Sequence, residues 1–389
     1  MDIKTFQDSP AGRLVHVPVG DYWAYAPNPL PPALEWTPPL VAALSAADRA
    51  LGELAGLGRG LPNPHLLIAP LMHREAVLSS QIEGTQASLS DLYAYEAAPL
   101  PQADHPDDVR EVHNYVRALE YGLERLQTLP VSLRLIRELH ERLMSGVRGE
   151  RQTPGEFRNR QNWIGSPGCT LDEATFVPAP VPEMKEALDA LERFLHAATP
   201  LPPLARLGLI HYQFEAIHPF LDGNGRVGRL LITLLLCTWG LLPQPLLYLS
   251  AYFEAHRRDY YDLLLAVSGR GAWEAWLRFF LVGVEEQARD AVWRTGRLQE
   301  LREQYRVRFQ TQRAAARLLQ VVDLLFARPI VGIAQIAEAL EMSHQSATRY
   351  VETLETEGVL REITGQARNR VYRADAVLAA IEAPPGAGG

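Results

Sequence analysis

The chain has 389 residues, of which 38 are basic and 46 acidic, for a formal net charge of -8. General polyanion binding rests on clustered Lys and Arg, so this balance excludes a non-specific nucleic-acid binder. The 47 % apolar and 22 % charged content is that of an ordinary globular protein, and at roughly 100–200 residues per domain the length predicts two or three domains.

Two cysteines, Cys169 and Cys237, exclude a disulfide framework and lack metal-ligand spacing. The start, Met1 to Thr5, offers no apolar signal region. The apolar run Leu230 to Leu242 stops at Pro243, short of the ~20 residues that a membrane span needs. A cytoplasmic protein with no membrane partner is expected.

Residues 1 to about 40 predict extended chain, since Pro27, Pro29, Pro31, Pro32, Pro38 and Pro39 do not fit inside helices. Helical periodicity begins near Leu40 and runs through Leu44, Ala47, Leu51 and Leu54. A second helix is expected over Pro70–Glu83, stopped by Gly84, and a third from Ser88, with Ser90-Asp91 as its cap. Pro99 to Pro106 reads as a linker. Asp107–Leu126 and Ser132–Leu143 read as amphipathic helices. From Gly155 to Pro182 the helical pattern lapses. Turn-rich Asn162 to Gly168 and β-prone Thr175-Phe176-Val177 there predict a β-hairpin or extended flap. Helices are expected again over Pro182–Ala197, Pro203–Ala216, Arg226–Leu241, Arg257–Val267 and Trp273–Leu301.

The block from about Ala315 to Asp375 changes character. A helix over Arg317–Phe326 precedes a short helix over Gly332–Leu340, a turn and cap at Met342–Gln345, and a helix over Ser346–Glu355. Leu360–Ile363 and Asn369–Tyr372 then read as two strands around Gly365, which completes a winged helix-turn-helix plan. Gln345, Ser346, Thr348 and Arg349 are its candidates for bases or phosphates, and Arg368 and Arg370 for a groove. Seven arginines against eight acidic residues leave this block at -1, which favours protein docking or dimerisation over DNA.

The strongest chemical signal runs from Ile217-His218-Pro219-Phe220 through Leu221-Asp222-Gly223-Asn224-Gly225 to Arg226-Val227-Gly228-Arg229, between two helical segments. A loop that feeds a helix N-terminus offers amide groups and the positive end of the helix dipole to an anion. Gly223 and Gly225 permit positive φ and close backbone approach to a ligand. Arg226 and Arg229, three apart on the helix, reach one phosphate chain with multi-donor guanidinium groups. Asp222 suits a hard divalent cation that bridges phosphate oxygens. His218 is placed to accept a proton from an attacking hydroxyl. No Gly-Lys-Ser/Thr follows the glycines, so this is not a P-loop.

These residues resemble the Fic family, whose motif His-x-Phe-x-Asp/Glu-Gly-Asn-Gly-Arg-x-x-Arg is matched at every fixed position from His218 to Arg229. The resemblance implies an all-α core with a β-hairpin flap, and transfer of AMP from ATP to a protein hydroxyl. It implies His218 as general base and Asp222 as ligand of Mg2+ or Mn2+. Gly223, Asn224 and Gly225 would form an anion hole, with Val227 and Gly228 following in the ATP site, and Arg226 and Arg229 would bind the distal phosphates. Toxin-like relatives that phosphorylate depart from Gly-Asn-Gly, a departure absent here.

Ser79-Ser80-Gln81-Ile82-Glu83-Gly84 is similar to the family's inhibitory pattern Ser/Thr-x-x-x-Glu-Gly/Asn. Ser79 and Glu83, four apart, are expected on one helix face. In the family this glutamate pairs with the second arginine, here Arg229, and displaces the γ-phosphate. Thr175, Phe176 and Val177 resemble the end of the flap that docks a target by strand addition. Tyr260 and Tyr261 resemble the pair that borders the adenine pocket, with ordinary helix packing as the competing reading. Leu61 to His65 also looks like the family's N-terminal region.

The expected organisation is an N-terminal region with the inhibitory helix (1–105), a Fic core (106–290), a connecting helix (291–314), a winged helix (315–376) and a flexible tail (377–389). The expected activity is adenylyl transfer to Ser, Thr or Tyr of a protein, the chain itself included. Hydrolytic removal of AMP at the same site and nucleotide-sensing transcriptional regulation stay open as alternatives. A second copy of the chain, and DNA at the winged helix, stay open as partners.

Overall fold

The computed structural model describes residues 1–60, 65–97, 106–147, 152–312, 315–366 and 368–383. The expected linker from Pro99 to residue 105, the stretch Leu61 to Pro64 and residues 384–389 of the expected tail lie outside the described residues.

The first forty residues hold more structure than their prolines predict. A short helix α1 (Ile3–Phe6) is followed by an antiparallel hairpin of β1 (Gly12–Val17) and β2 (Tyr22–Pro27), registered from Gly12↔Pro27 to Val17↔Tyr22. Its turn depends on Gly20 and Asp21, at φ 101° and 47°, where Asp is one of the few side chains tolerated. Helix α2 (Pro38–Gly60) starts ahead of the apolar periodicity. A first turn tolerates proline because its N–H groups have no intrahelical partner, and Thr37 Oγ1 accepts the Leu40 amide.

Helix α3 (His65–Ile82) also starts before the expected Pro70, which it contains. Helix α4 (Leu89–Ala97) is capped by Ser88 and not by the expected Ser90-Asp91 pair. Ser88 Oγ accepts the Asp91 amide and Asp91 Oδ2 accepts the Ser88 amide, a reciprocal box. Helices α5 (Pro106–Arg125) and α6 (Leu133–Leu143), the latter capped by Ser132, closely follow the prediction.

The chain divides into two compact units. The first holds residues 1–52, 114–241 and 249–287. Besides α6 it contains α7 (Val181–His196), α8 (Pro203–Ile217), α9 (Asn224–Thr238), an unforeseen α10 (Ser250–Ala255), α11 (Arg257–Arg270) and the start of α12 (Trp273–Phe309). α9 ends before the expected Leu241, and α12 is one continuous helix well past Leu301. Gly228 brings α9 against α8, because a Cβ there would collide with Glu215 and Phe214. Gly208 does the same for α8 and α12, where a Cβ would meet Leu277 and Phe280, and Trp276 Nε1 donates to its carbonyl at 2.9 Å.

The flap is narrower than the expected hairpin. Ile164 and Phe176 form one antiparallel bridge, with N–H···O distances of 2.8 and 3.0 Å. Gly165, Pro167 and Gly168 beyond it do not extend a ladder. The return limb pairs instead with β2, through the Tyr25 amide on the Val177 carbonyl at 2.8 Å. Phe176 packs with Phe6 and Tyr25.

The second unit holds residues 53–113, 242–248 and 288–389. Here α13 (Ala315–Ala327) packs on α3, followed by β3 (Ile330–Gly332), α14 (Ile333–Ala339), α15 (His344–Thr356), β4 (Arg361–Glu362), β5 (Val371–Arg373) and α16 (Asp375–Glu382). The strands form one antiparallel sheet in the order β3-β5-β4. The winged helix-turn-helix is therefore present, with a third strand, β3, that its three residues made illegible. The flexible tail expected from residue 377 begins instead as α16, which also packs on α3.

Arg294, 1 % exposed, ties this unit together: Nε donates to Asp290 at 2.7 Å, and NH1 donates to the carbonyls of Ile381 and Ala383 at 2.6 and 2.7 Å. Arg74 adds a longer contact to Asp290 at 3.4 Å. Arg294→Met should cost about 3 kcal/mol in urea unfolding, the low end for breaking a buried ion pair, since Arg74 stays beside Asp290.

Candidate active site

His218 terminates α8 in the left-handed region, at φ 49° and ψ 61°. A β-carbon is costly there, so the conformation needs external support. Two buried side chains supply it. Arg158 Nε and Asn162 Nδ2 both donate to the His218 carbonyl, at 3.0 and 3.2 Å. The Arg158 amide donates to the Pro219 carbonyl at 2.9 Å. The Phe220 carbonyl receives Asn162 Nδ2 at 2.8 Å and Asn224 Nδ2 at 2.9 Å, and the Phe220 amide donates to Asn224 Oδ1 at 2.8 Å.

His140 completes the cradle from α6. Its ring stacks on Phe220, 3.7 Å between centroids and 7° from parallel. The Gly155 amide donates to Nδ1 at 2.9 Å, which puts the ring proton on Nε2, and Nε2 donates to the Asp222 carbonyl at 3.0 Å. Burial lowers the His140 pKa to about 4, with nearby Arg226 working in the same direction. Sequence reasoning missed Arg158, Asn162 and His140. A histidine on the apolar face of α6, beside Ile136 and Leu143, was the one signal available for the last.

The loop then turns through Gly223, at φ 77°, into the N-terminus of α9. No side chain caps this end, and intrahelical bonding begins only with the Val227 amide on the Gly223 carbonyl at 3.1 Å. The amides of Asn224 and Gly225 thus precede the first helical bond, at the positive end of the dipole. Asn224 offers only its backbone to a ligand, because its side chain is committed to Phe220.

Arg226 and Arg229 are 3 % and 2 % exposed, so their charges act in a low-dielectric setting. Arg226 NH2 lies 3.6 Å from Asp222 Oδ1, which also accepts the Gly223 amide at 2.6 Å. His218 is half-buried, and its Nδ1 faces the Glu215 carbonyl at 3.3 Å. A carbonyl only accepts, so the Nδ1 proton points there and the lone pair falls on Nε2.

The structure brings His218, Asp222, Gly223, Asn224, Gly225, Arg226, Val227, Gly228 and Arg229 together as one loop and first helical turns. Val227 and Gly228 are buried, and the Gly228 carbonyl faces His211 Nδ1 at 3.3 Å. Tyr260 lies in the aromatic core, its hydroxyl 2.9 Å from His211 Nε2 and its ring stacked on Phe253, whereas Tyr261 is exposed. Of the flap residues, Thr175 is exposed while Phe176 and Val177 are buried.

In the second unit, α3 ends at Ile82, so Glu83 lies one residue past the helix and is exposed, while Ser79 is buried within it. Gly84 stops the helix at φ 100°. Gln345 and Arg349 on α15 and Arg368 and Arg370 beyond β4 are exposed. Ser346 pairs with the capping Ser343, and Thr348 Oγ1 donates to the His344 carbonyl. Arg361 and Arg373 are both spent on Asp375. Among the described residues, no three His, Cys, Asp or Glu side chains are grouped to hold a metal, and no helix is long and apolar enough to cross a membrane.

Between the ordinary histidine value of 6.5 and about 4, the unfolded chain binds a proton at residue 140 that the folded chain refuses. Stability therefore falls as pH falls through that window, by about 1.4 kcal/mol per pH unit at most for one proton. His211, pushed down to about 3 by burial, adds a second proton of the same sign. His140→Phe should flatten the pH dependence of urea unfolding between pH 6 and 4.5 by about one proton and leave the His211 share.

Comparison with known proteins assigns most of the chain to matched regions. Residues 41–124 match the Fic/DOC family N-terminal region, 130–236 the Fic/DOC family itself, and 318–378 an HTH DNA binding domain. The chain is 28 % identical over 220 residues to the protein adenylyltransferase Fic of Drosophila melanogaster and of Drosophila yakuba, over 55 % of this chain and 40 % of each relative. It thus spans less than half the length of those curated relatives.

A Fic family protein from Desulfovibrio desulfuricans superposes with a TM-score of 0.57 at 20 % identity, over 89 % of this chain and 98 % of that one. Fic-1 from C. elegans superposes with a TM-score of 0.50 at 21 % identity, over 65 % and 73 %. These two likenesses concern the fold. The chain thus carries a Fic/DOC N-terminal region and a Fic/DOC domain that includes the His218–Arg229 loop, followed in sequence by a helix-turn-helix domain.

Proposed function

We propose that this chain transfers AMP from ATP to a Ser, Thr or Tyr hydroxyl of a protein. The observation that carries the reading is the uncapped N-terminus of α9 immediately after His218, with two buried arginines on its first turns. The phosphates of ATP would lie across the amides of Gly225 and its neighbours, and Arg226 and Arg229 would compensate the charge of the distal groups. His218 Nε2 takes the hydroxyl proton as the oxygen attacks the α-phosphorus. The bond from that phosphorus to the bridging oxygen of the β-phosphate breaks, and pyrophosphate leaves.

The residues fit a divalent cation held mostly by substrate. Asp222 offers one carboxylate that is 42 % exposed, its Oδ1 already engaged by the Gly223 amide. Mg2+ or Mn2+ bound there and to phosphate oxygens would offset charge on the leaving group.

Autoinhibition is part of the same reading. It rests on the Ser79–Gly84 pattern and on a single argument: one guanidinium does not serve a carboxylate and a phosphate at full strength together. On this reading Glu83 competes for Arg229, and the wild-type protein is a slow enzyme.

His218→Ala should abolish incorporation of α-labelled AMP into protein while ATP binding persists, since the imidazole acts on the hydroxyl. Label transfer near the wild-type rate would overturn the assignment. Glu83→Gly should raise labelling above wild type, and adding Arg229→Ala should remove most of the gain. A Glu83→Gly protein no faster than wild type on any hydroxyl target rules out autoinhibition.

A further inference from the structure

The segment that enters the flap carries a side chain whose bonding is unusual for a structural residue. Asn162 is 8 % exposed, and its Nδ2 group spends both hydrogens on the loop, one on the His218 carbonyl at 3.2 Å and one on the Phe220 carbonyl at 2.8 Å. Its Oδ1 is buried without a hydrogen-bond partner. A buried unpaired acceptor costs stability, so a residue selected for stability alone is a poor fit here. Both carbonyls also have another donor: Arg158 Nε serves His218, and Asn224 Nδ2 serves Phe220. The bonds of Asn162 are redundant for satisfying polar groups.

They are not redundant for geometry. The two carbonyls bracket Pro219, and one amide group spanning both fixes the twist of the chain between the left-handed His218 and the buried Phe220. Arg158 grips His218 from a different anchor, since its remaining donors reach the Ala179 and Arg160 carbonyls of the flap limbs. Asn224 grips Phe220 from α9. Among these three, only Asn162 bonds both residues at once. A rotation about the His218 backbone swings the imidazole, whose Nδ1 faces the Glu215 carbonyl at 3.3 Å.

We infer that Asn162 is a positioning residue for the catalytic base: by spanning the His218 and Phe220 carbonyls it aims the His218 imidazole at the reacting hydroxyl, and contributes little to stability. This rests on the proposed adenylyl transfer for its kinetic consequence, but its structural consequence stands apart from it.

The experiment compares wild type, Asn162→Ala and Asn162→Ser as full-length proteins. Misplacing a base by a fraction of an ångström to an ångström is expected to lower kcat for AMP transfer roughly 10- to 100-fold in Asn162→Ala. The Kd of a fluorescent ATP analogue should change less than twofold, because the α9 N-terminus is untouched. The melting temperature should move by only a few degrees. Asn162→Ser, which keeps one donor, should fall in between.

A kcat equal to wild type, or a loss matched by loss of folded protein or of nucleotide binding, overturns the inference. Backbone amide and Cα resonances of His218 give a readout without activity, and they should shift in Asn162→Ala. If they shift while wild type transfers no AMP, the positioning stands and the proposed function falls. If they do not shift, the positioning falls whatever the activity.

Discussion

The side-chain amide of Asn224 returns to the backbone of Phe220 through both of its polar atoms, inside the core, and the geometry of the site depends on that closure. A glycine-containing loop has many conformations in solution, and confining it costs entropy residue by residue. Here the loop is confined by buried side chains that arrive from three directions: Arg158 and Asn162 from the flap, His140 from α6, and Asn224 from α9 itself. Between them they occupy the carbonyls of His218, Phe220 and Asp222, and the Arg158 backbone amide takes that of Pro219. The acceptors of the loop are thereby turned into the protein, while the α9 amides, which no side chain caps, keep their positive end for an anion.

The histidines of the first unit divide by burial. His140 and His211 are enclosed, each held in one tautomer by a backbone partner and kept neutral by desolvation far below the ordinary range. They serve as rigid hydrogen-bonding plates, one under Phe220 and one among Tyr260, Phe253 and Trp276. His218 is only half-buried, at the end of a helix. That contrast separates a histidine that builds a site from one suited to exchange a proton in it.

The second unit is built around α3, the helix that runs up to Glu83. α13 and α16 of the winged-helix block pack on it, and Gln335 Nε2 reaches the Glu96 carbonyl of α4 at 2.7 Å. An N-terminal helical region and a C-terminal winged helix, far apart in sequence, therefore share one core. The winged helix is not an independent appendage, and a reading in chain order does not reveal this.

By itself the sequence determined the elements whose cause is local. Helical periodicity, the Ser132 cap and the break at Gly84 follow from neighbouring residues, and so does the loop from His218 to Arg229. Its glycines and arginines are contiguous in the chain, which is why it was legible as a motif. The tertiary structure alone decided which side chains support that loop. Arg158, Asn162 and His140 lie some sixty to eighty residues from the carbonyls they bond, and no spacing announces them. The same holds for β3, β1 and β2: strands this short are specified by the partner they pair with, and α16 by the helix it covers. Tyr260 illustrates the limit from the other side. Its place in the chain resembles a pocket border, but its hydroxyl partner, His211, comes from a helix that only the packing of α8 on α11 brings near.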